Sequence, residues 1–154
     1  MSVSLGPDSY NGATVHCHRD SMLTIGARCW IGEGTIIHLT TGITIGDDVL
    51  ISWDCLLMDT DMHSLDFAGR QHDAQITQNG KPSEKDWSVV RCLPIVIEDR
   101  AWIGARSILL PGVFIGEGAV IGAGSVVRGR IPPYSLFAGN PAQYLRRMVT
   151  YDPA

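Results

Sequence analysis

Residues 95–127 are IVIEDRAWIGARSILLPGVFIGEGAVIGAGSVV, and aliphatic side chains recur in this stretch at every sixth position. The series comprises Ile97, Ile103, Leu109, Ile115, Ile121 and Val127. The same spacing occurs earlier, at Ile25, Ile31, Ile37 and Ile43, and resumes two residues out of step at Ile45, Ile51 and Leu57. A six-residue period therefore governs two long parts of the chain.

This period excludes an α-helix over these stretches. At about 100° per residue, positions six apart point in three directions about 120° apart, so no apolar face would form. Glycine follows the aliphatic residue at Gly26, Gly32, Gly46, Gly104, Gly116 and Gly122, and glycine is typical of places where the backbone bends. The pattern predicts a coil of three short flat strands and three corners, about 18 residues around.

A second inward position is expected four residues after each aliphatic one. It is occupied by the small side chains of Ala101, Ser107, Val113, Ala119 and Ser125. Small side chains fit a narrow triangular core. Cys29 and Cys55 occupy the same position in their repeats, so core packing is expected for them rather than nucleophilic catalysis.

The 154 residues are predicted to form a single all-β domain, a parallel β-helix. Its coils are expected at 15–63 and 95–133. Residues 64–94 carry no repeat and many polar and turn residues, so we expect an arm that leaves the coil, and such long insertions are usually functional. Residues 134–154 are expected to cap the prism, with a short helix at 142–149 because that segment has a helical composition and cations near its end.

Composition narrows the class of protein. The formal net charge of −4 argues against a nucleic-acid partner. No apolar stretch approaches the ~20 residues that span a bilayer, and the first 14 residues do not resemble a signal peptide. The four cysteines contain no C-x-x-C pair, so reduced thiols and a cytoplasmic location are expected.

Several motifs together resemble the hexapeptide-repeat acyltransferases, most closely their sugar O-acetyltransferase branch. They are Ala101-Trp102-Ile103-Gly104-Ala105, Leu110-Pro111-Gly112-Val113-Phe114-Ile115-Gly116, Ile121-Gly122-Ala123-Gly124-Ser125-Val126-Val127, Ile131-Pro132-Pro133 and Ala138-Gly139-Asn140-Pro141-Ala142. The resemblance covers roughly residues 25–147 apart from the arm. It implies a left-handed β-helix, a homotrimer, and acetyl-coenzyme A as co-substrate in the groove between neighbouring subunits, with no metal.

The resemblance extends to Asp59-Thr60-Asp61-Met62-His63-Ser64, where the repeat gives way to the arm. A histidine at this place is the catalytic base in the family, which implies that role for His63. Imidazole, with an ordinary pKa near 6.5, suits proton removal from an acceptor at neutral pH. Asp61 or a nearby backbone carbonyl can hold the other ring nitrogen. His38, about one coil upstream, is a candidate substrate residue of the same groove, whereas no such context supports His16, His18 or His72.

The resemblance also implies cofactor contacts. Trp102 matches a tryptophan that packs near coenzyme A, and Ala105, Ala123 and Gly124 match small positions along the pantetheine. Phosphate contacts are expected from Arg128, Arg130 or Arg146, since guanidinium binds phosphate well. The family often has Thr-Lys-Asp where this chain has Arg128-Gly129-Arg130, which leaves open which cation meets which phosphate. Trp87 in the arm packs either on a neighbouring subunit or on a sugar ring.

Two alternatives to an acyltransferase remain open at this point. A β-helix can hold zinc between subunits, as in gamma-class carbonic anhydrases, and the chain has five histidines, although catalytic zinc usually needs three protein ligands. A catalytically inactive β-helix can serve as a scaffold subunit. For an acyltransferase, the acceptor class is open among saccharides and glycan precursors, amino sugars, antibiotics and serine. O- or N-acylation, the acyl chain length and the oxyanion donor are open as well.

Overall fold

The computed structural model describes residues 2–149, and within them eighteen strands form three sheets. The first sheet contains β1 (Ser2–Leu5), β4 (Met22–Ile25), β7 (Gly42–Ile45), β10 (Ile95–Ile97), β13 (Phe114–Ile115) and β16 (Arg130–Ile131). The second contains β2 (Tyr10–Asn11), β5 (Trp30–Ile31), β8 (Leu50–Ile51), β11 (Trp102–Ile103), β14 (Val120–Ile121), β17 (Ser135–Gly139) and β18 (Ala142–Arg147). The third contains β3 (Thr14–Cys17), β6 (Ile36–Leu39), β9 (Leu56–Met58), β12 (Ile108–Leu109) and β15 (Val126–Val127).

From β1 to β17, successive strands enter the first, second and third sheets in turn, so the chain winds as a three-sided coil. Neighbouring strands in each sheet are parallel, apart from the last pair. Between the coils that follow the arm, paired residues are eighteen apart, as in Val96↔Phe114, except at the last coil, where the spacing is sixteen, as in Phe114↔Arg130. Before the arm most pairs are twenty apart, as in Thr24↔Thr44. The two additional residues lie in the corner between the third and first sheets, which accounts for the shift in the aliphatic series.

The core contains the residues that the six-residue period predicts. Every aliphatic member of the series from Ile25 to Val127 is at most 1% exposed. The small residues of the second inward position are equally buried, and the Ser107 and Ser125 hydroxyls donate to the Gly122 carbonyl. Cys29 and Cys55 are buried free thiols in this core, as predicted.

The corner between the first and second sheets is built from stacked left-handed residues. Positive φ angles of 51–63° occur there at Asp8, Arg28, Asp48, Arg100, Gly118 and Tyr134. Each of the last five donates its backbone N–H to a carbonyl of the preceding coil. The Arg28 guanidinium also contacts both carboxylate oxygens of Asp48, at 2.6 and 2.8 Å. The repeated hydrogen bonds keep the coils in register where the backbone conformation is unusual.

The arm at residues 64–94 folds into short helices rather than a structureless loop. It contains α1 (Phe67–Arg70), α2 (Asp73–Gln78) and two 3-10 turns (Pro82–Glu84 and Trp87–Val89). Its stems pair with each other, because the Asp61 N–H donates to the Arg91 carbonyl and the Leu93 N–H donates to the Asp59 carbonyl. The arm is therefore anchored at the corner between the third and first sheets.

Among residues 2–149, no helix is long and apolar enough to cross a membrane.

The expected C-terminal helix is wrong, because residues 142–147 form strand β18 instead. The chain reverses at residues 140–141, and β18 pairs antiparallel with β17 at the end of the second sheet. The Tyr144 ring packs edge-on against Phe137, with centroids 5.7 Å apart. An open strand edge offers backbone hydrogen bonds that outweigh a modest helical propensity. The rest of the expected cap, residues 150–154, lies outside the described residues.

The coil also begins earlier than the expected residue 15, since β1 and β2 precede that position and β3 begins at residue 14. The register places Val3 on Leu23 and Leu5 on Ile25. These inward residues remain 46% and 49% exposed because no described coil lies below them. The six-residue series is hard to recognise here, because polar Asn11 takes the position below Ile31.

Adjacent residues of β4 provide a direct test of the core. Leu23 is fully buried and Met22 is 54% exposed. Leu23→Ala should lower the free energy of unfolding by about 2–5 kcal/mol, because it leaves a cavity, whereas Met22→Ala should change it by less than about 1 kcal/mol. Urea unfolding followed by circular dichroism measures both. Equal losses in the two variants would contradict an inward-facing ladder.

Candidate active site

The corner between the third and first sheets is held by one buried carboxylate. Asp59 is fully buried and accepts hydrogen bonds from the backbone N–H groups of Thr40, Thr41 and Gly42, at 2.6–3.0 Å. The Thr41 hydroxyl donates to it as well, at 3.0 Å. These bonds fix residue 59 against the coil below, four residues before His63. The segment that leads into the arm is therefore anchored to the coil by hydrogen bonds.

His63 is paired with an acidic residue of the arm. Its Nδ1 lies 2.5 Å from Oδ2 of Asp73, the first residue of α2, and the same oxygen lies 2.5 Å from Nζ of Lys85. The Asp73 and Lys85 side chains are only 11% and 10% exposed, whereas that of His63 is 52% exposed. The bonds from Lys85 and then from His63 lower the pKa of the Asp73 carboxyl. The arrangement is a buried ion pair that supports an accessible imidazole.

The contact with Asp73 indicates which nitrogen of the imidazole carries the proton. An ionised carboxylate can only accept a hydrogen bond, so Nδ1 of His63 carries the proton in its contact with Asp73. The lone pair on Nε2 is then the free basic site. A ring nitrogen held by a carboxylate and a second nitrogen left basic are the features of a general base.

The expected partner Asp61 does not hold the His63 ring. The Asp61 backbone carbonyl accepts a hydrogen bond from the backbone N–H of His63 at 2.7 Å, and the Asp61 carboxylate lies 3.8 Å from the Arg91 guanidinium. Because Asp61 is only two residues away in a tight turn, its contribution to His63 is through the backbone. Asp73, which lies ten residues further along in the arm, provides the carboxylate instead.

His63 opens into a cavity of about 690 Å³ between the arm and the first coil. The lining residues are Cys17, His18, Arg19, Met62, His63, Asp73, Ile76, Thr77, Pro82, Ser83, Lys85 and Trp87. The Trp87 and His18 ring centroids are 5.8 Å apart, so an aromatic surface faces the same space as the imidazole. A concave, largely apolar cavity with a few polar groups is the usual form of a small-molecule site. Trp87 thus lines the same cavity as His63.

Three histidines of the first two coils stack beside this cavity. His16 pairs with His38 across the third sheet, and their rings are stacked with centroids 5.2 Å apart. Nε2 of His18 lies 2.9 Å from Nδ1 of His38. His18 lines the cavity itself, whereas His38 contacts it through His18. The predicted candidate His38 is thus one residue removed from the cavity, and His18 takes the position expected for it.

The predicted cofactor residues lie at another corner of the prism. Ala105 and Gly124 meet where the second sheet leads into the third, with the Gly124 N–H donating to the Ala105 carbonyl at 2.8 Å. Ala123 is exposed beside them. Trp102 is 50% exposed on the second sheet, and its Nε1–H donates to the Ser52 hydroxyl at 3.2 Å. Within one chain, the third sheet separates this group from His63.

The predicted phosphate-binding arginines lie in different environments. Arg128 lines a second cavity of about 340 Å³ together with Asp61 and Arg91. The Arg130 guanidinium stacks on the Phe114 ring, 3.8 Å from its centroid. Arg146 lies on the terminal strand β18. No single cluster contains all three.

Sequence reasoning missed Asp73, Lys85 and His18. The arm has no repeat, so nothing in its spacing indicates which of its charged residues returns to the corner. For His18 a signal was present. The register pairs His16 with His38, and His18, two residues further along, lies at the corner where the arm begins.

Within residues 2–149, no three His, Cys, Asp or Glu side chains are arranged to hold a metal ion.

The parallel β-helix and its six-residue repeats are the features of the hexapeptide-repeat transferases. The sequence model described as bacterial transferase hexapeptide (six repeats) matches residues 94–129, and the hexapeptide repeat of succinyl-transferase matches residues 22–52. The hexapeptide-repeat acetyltransferase VCA0836 of Vibrio cholerae, solved with acetyl-coenzyme A, is 31% identical with a TM-score of 0.74. The alignment covers 96% of this chain and 72% of that one. The chain belongs to the hexapeptide-repeat acetyltransferase family, and the predicted left-handed β-helix is confirmed.

Curated relatives carry related descriptions. A putative acetyltransferase of Schizosaccharomyces pombe, C18B11.09c, is 42% identical over 106 residues, which is 69% of this chain and 44% of that protein. The putative lipopolysaccharide biosynthesis O-acetyl transferase WbbJ of Escherichia coli is 34% identical over 113 residues, which is 72% of this chain and 54% of WbbJ. The chain thus spans about half the length of these relatives.

The stacked histidines should make the stability of the fold depend on pH. Burial and then the neighbouring imidazoles lower the pKa of His18, and burial and then His16 lower that of His38. As pH falls below about 6.5, the unfolded chain binds protons that the folded chain does not, so stability should fall through the interval between the ordinary and lowered pKa values. NMR titration of the imidazole signals checks the cause. In His38→Gln the pKa of His18 should rise but stay below 6.5, since burial remains; a His18 pKa at or above 6.5 in the unmodified protein would refute this account.

Proposed function

We propose that this protein transfers an acetyl group from acetyl-coenzyme A to a hydroxyl of a sugar or glycan precursor, with His63 as general base. The observation that carries the proposal is the pairing of His63 with Asp73 at the mouth of a cavity of substrate size. Acetyl transfer is consistent with the family, and the O-acetyl transferase WbbJ supports oxygen as the acceptor atom.

The chain's own residues account for the proton transfers. Nε2 of His63 accepts the proton from the acceptor hydroxyl as the hydroxyl oxygen attacks the thioester carbonyl carbon, and it gives that proton to the coenzyme A sulfur as the C–S bond breaks. Asp73 holds Nδ1–H and stabilises the imidazolium that forms between these events. Lys85 keeps Asp73 ionised, so the carboxylate does not take up the proton itself. Acetyl-coenzyme A supplies the acetyl group as an activated thioester.

The corner between the second and third sheets fits an extended cofactor arm. A Cβ added at Gly124 would meet no atom within 4 Å, so the outer surface of this corner is open. Ala105 and Ala123 add only small side chains there, and the exposed Trp102 ring lies on the adjoining sheet. A pantetheine chain can approach the backbone closely at such a surface. Arg128, beside the second cavity, is the cation that we assign to a phosphate.

The separation of these two corners favours an active site between protomers. The outer face of the second sheet carries the exposed side chains of Tyr10, Leu50 and Trp102, at 46–50% exposure, with Trp30 between them. The outer face of the third sheet carries an aligned row of Ile36, Leu56, Ile108 and Val126. Contacts between two different faces close into a ring when the rotation permits. We propose a homotrimer in which the His63 corner of one protomer faces the Trp102 surface of the next.

The proposed setting is the cytoplasm, in a pathway of polysaccharide or lipopolysaccharide assembly. All four cysteines are free thiols, which is consistent with a reducing compartment. The description of WbbJ supports the class of pathway for that relative, and the cavity beside Trp87 can take one sugar ring of a larger glycan.

His63→Ala tests the proposed base. Release of free thiol from acetyl-coenzyme A in the presence of a sugar panel should fall by about 10²- to 10⁴-fold, because one positioned base contributes that much. Binding of coenzyme A, measured by calorimetry, should be retained. His72→Ala is the matched control, since His72 is an exposed histidine of the same arm. Equal rates in His63→Ala and the unmodified protein would refute the base assignment, and no release by the unmodified protein with any acceptor would favour a scaffold.

Asp73→Asn tests the positioning carboxylate. The asparagine cannot stabilise the imidazolium or fix the same tautomer, so kcat should fall ~10²-fold or more while KM for acetyl-coenzyme A is unchanged. Asp73→Glu should recover part of kcat. Urea unfolding monitors the separate loss of stability, because Lys85 is left buried without its partner. Asp66→Asn, an exposed arm position, is the control. An unchanged kcat in Asp73→Asn would contradict the proposed role.

A further inference from the structure

The arginine that lines the His63 cavity has no ionic partner among the described residues. Among residues 2–127 the other arginines all have a side-chain partner: Arg28 with Asp48, Arg70 with Phe67 and two carbonyls, Arg91 with Asp61, Arg100 with Glu117, and Arg106 with Asp54. The remaining one is Arg19, whose side chain forms no ion pair with any described residue. Arg19 lines the cavity that contains His63.

The backbone at Arg19 is well fixed even though its side chain is not. Its carbonyl accepts hydrogen bonds from Sγ of Cys17 at 2.8 Å and from the hydroxyl of Ser21 at 2.9 Å. These bonds close the turn between β3 and β4. The preceding residue, His18, donates its backbone N–H to the Leu39 carbonyl of the next coil. The turn thus holds the Arg19 backbone at the cavity wall, while the guanidinium group remains available to bind a ligand.

The other charges of this cavity cancel. Lys85 and Asp73 form a buried ion pair, and His63 uses Nδ1 in the same pair. His18 is kept neutral near pH 7, because burial and the adjacent histidines lower its pKa. The cavity therefore carries one uncompensated positive charge, from Arg19, in a chain whose net charge is −4. Such a charge in a concave, partly apolar site attracts anions.

The wall between Arg19 and His63 is formed by flat rings. Trp87 packs beside His18, and Nζ of Lys85 lies 5.4 Å from the centre of the Trp87 ring. Because Lys85 bonds Asp73 at 2.5 Å, this contact also restrains the tryptophan near the catalytic pair. A rigid aromatic surface of this kind suits the apolar face of a sugar ring.

We propose that the acceptor carries an anionic group, a carboxylate or a phosphate, that Arg19 binds while the sugar ring lies against Trp87. This inference rests on the proposed function only in taking the cavity as the acceptor site. Arg19 is assigned as a specificity residue that orients the acceptor hydroxyl toward His63. Guanidinium suits this task because it forms paired, charge-assisted hydrogen bonds to planar carboxylate or to phosphate oxygens.

Equilibrium binding tests the inference without turnover. Glucose, galactose and mannose are each titrated as the neutral methyl glycoside, the uronate and the 1-phosphate, into the full chain saturated with coenzyme A. For at least one hexose, an anionic form should bind about tenfold more tightly than its neutral form, as one charge-assisted contact provides. The form that gains identifies the anion as carboxylate or phosphate. Arg19→Gln should remove that gain and leave binding of the neutral form within about twofold.

Arg28→Gln is the matched control, an exposed arginine at a corner remote from the cavity, and should preserve the preference for the anion. Absence of any gain from either anion across all three hexoses, including no measurable binding, would overturn the proposal. Equal losses in Arg19→Gln and Arg28→Gln would do the same. Failure of the transferase proposal is recognised separately, as charge-dependent binding with no acetyl transfer to any compound.

Discussion

The narrow three-sided core is the constraint on which the rest of the structure depends. Each turn of the coil contributes one aliphatic side chain per side at the same height, and each stacks on the corresponding residue of the next coil. Only small side chains fit between these rows, which is why alanine, serine and cysteine occupy the second inward position. A core this regular leaves little freedom inside the prism. Variation, and with it function, is confined to the corners and the outer faces.

The corner between the third and first sheets is where that freedom is used. Relative to the coil after the arm, the second coil has two additional residues there, and Asp59 satisfies the backbone N–H groups that the longer turn exposes. The paired stems of the arm start from this buried anchor, and the arm brings Asp73 and Lys85 back beside His63. Because the turn between β3 and β4 lies at the same corner, His18 and Arg19 complete the cavity from below. The site is thus assembled from segments distant in sequence that share one edge of the prism.

How much the sequence could predict follows from this division. Because the coils are periodic, the sequence predicts the buried positions from Ile25 to Val127, the cysteines of the core and the location of His63 at the coil-to-arm junction. The arm is not periodic, and so the pairing of His63 with Asp73 rather than Asp61 depends on a tertiary fold that spacing cannot reveal. The C-terminal segment was mispredicted for a related reason: the composition of residues 142–149 favours a helix, but the open edge of β17 was invisible in the sequence. The placement of His18 followed from coil register, which only an exact alignment of the longer corners could have shown.

The faces of the prism explain why one chain alone is an incomplete description of the proposed enzyme. His63 and the surface around Trp102, Ala105 and Gly124 lie on opposite sides of the third sheet, and both adjoining outer faces are partly apolar. A crystal structure with bound coenzyme A measures directly whether the corner-borne imidazole meets the acyl group. The account predicts the coenzyme thiol beside Nε2 of His63, with the pantetheine along the Trp102 surface of a neighbouring protomer. A thiol bound away from His63, or a cofactor held on the first sheet of a single chain, would contradict it.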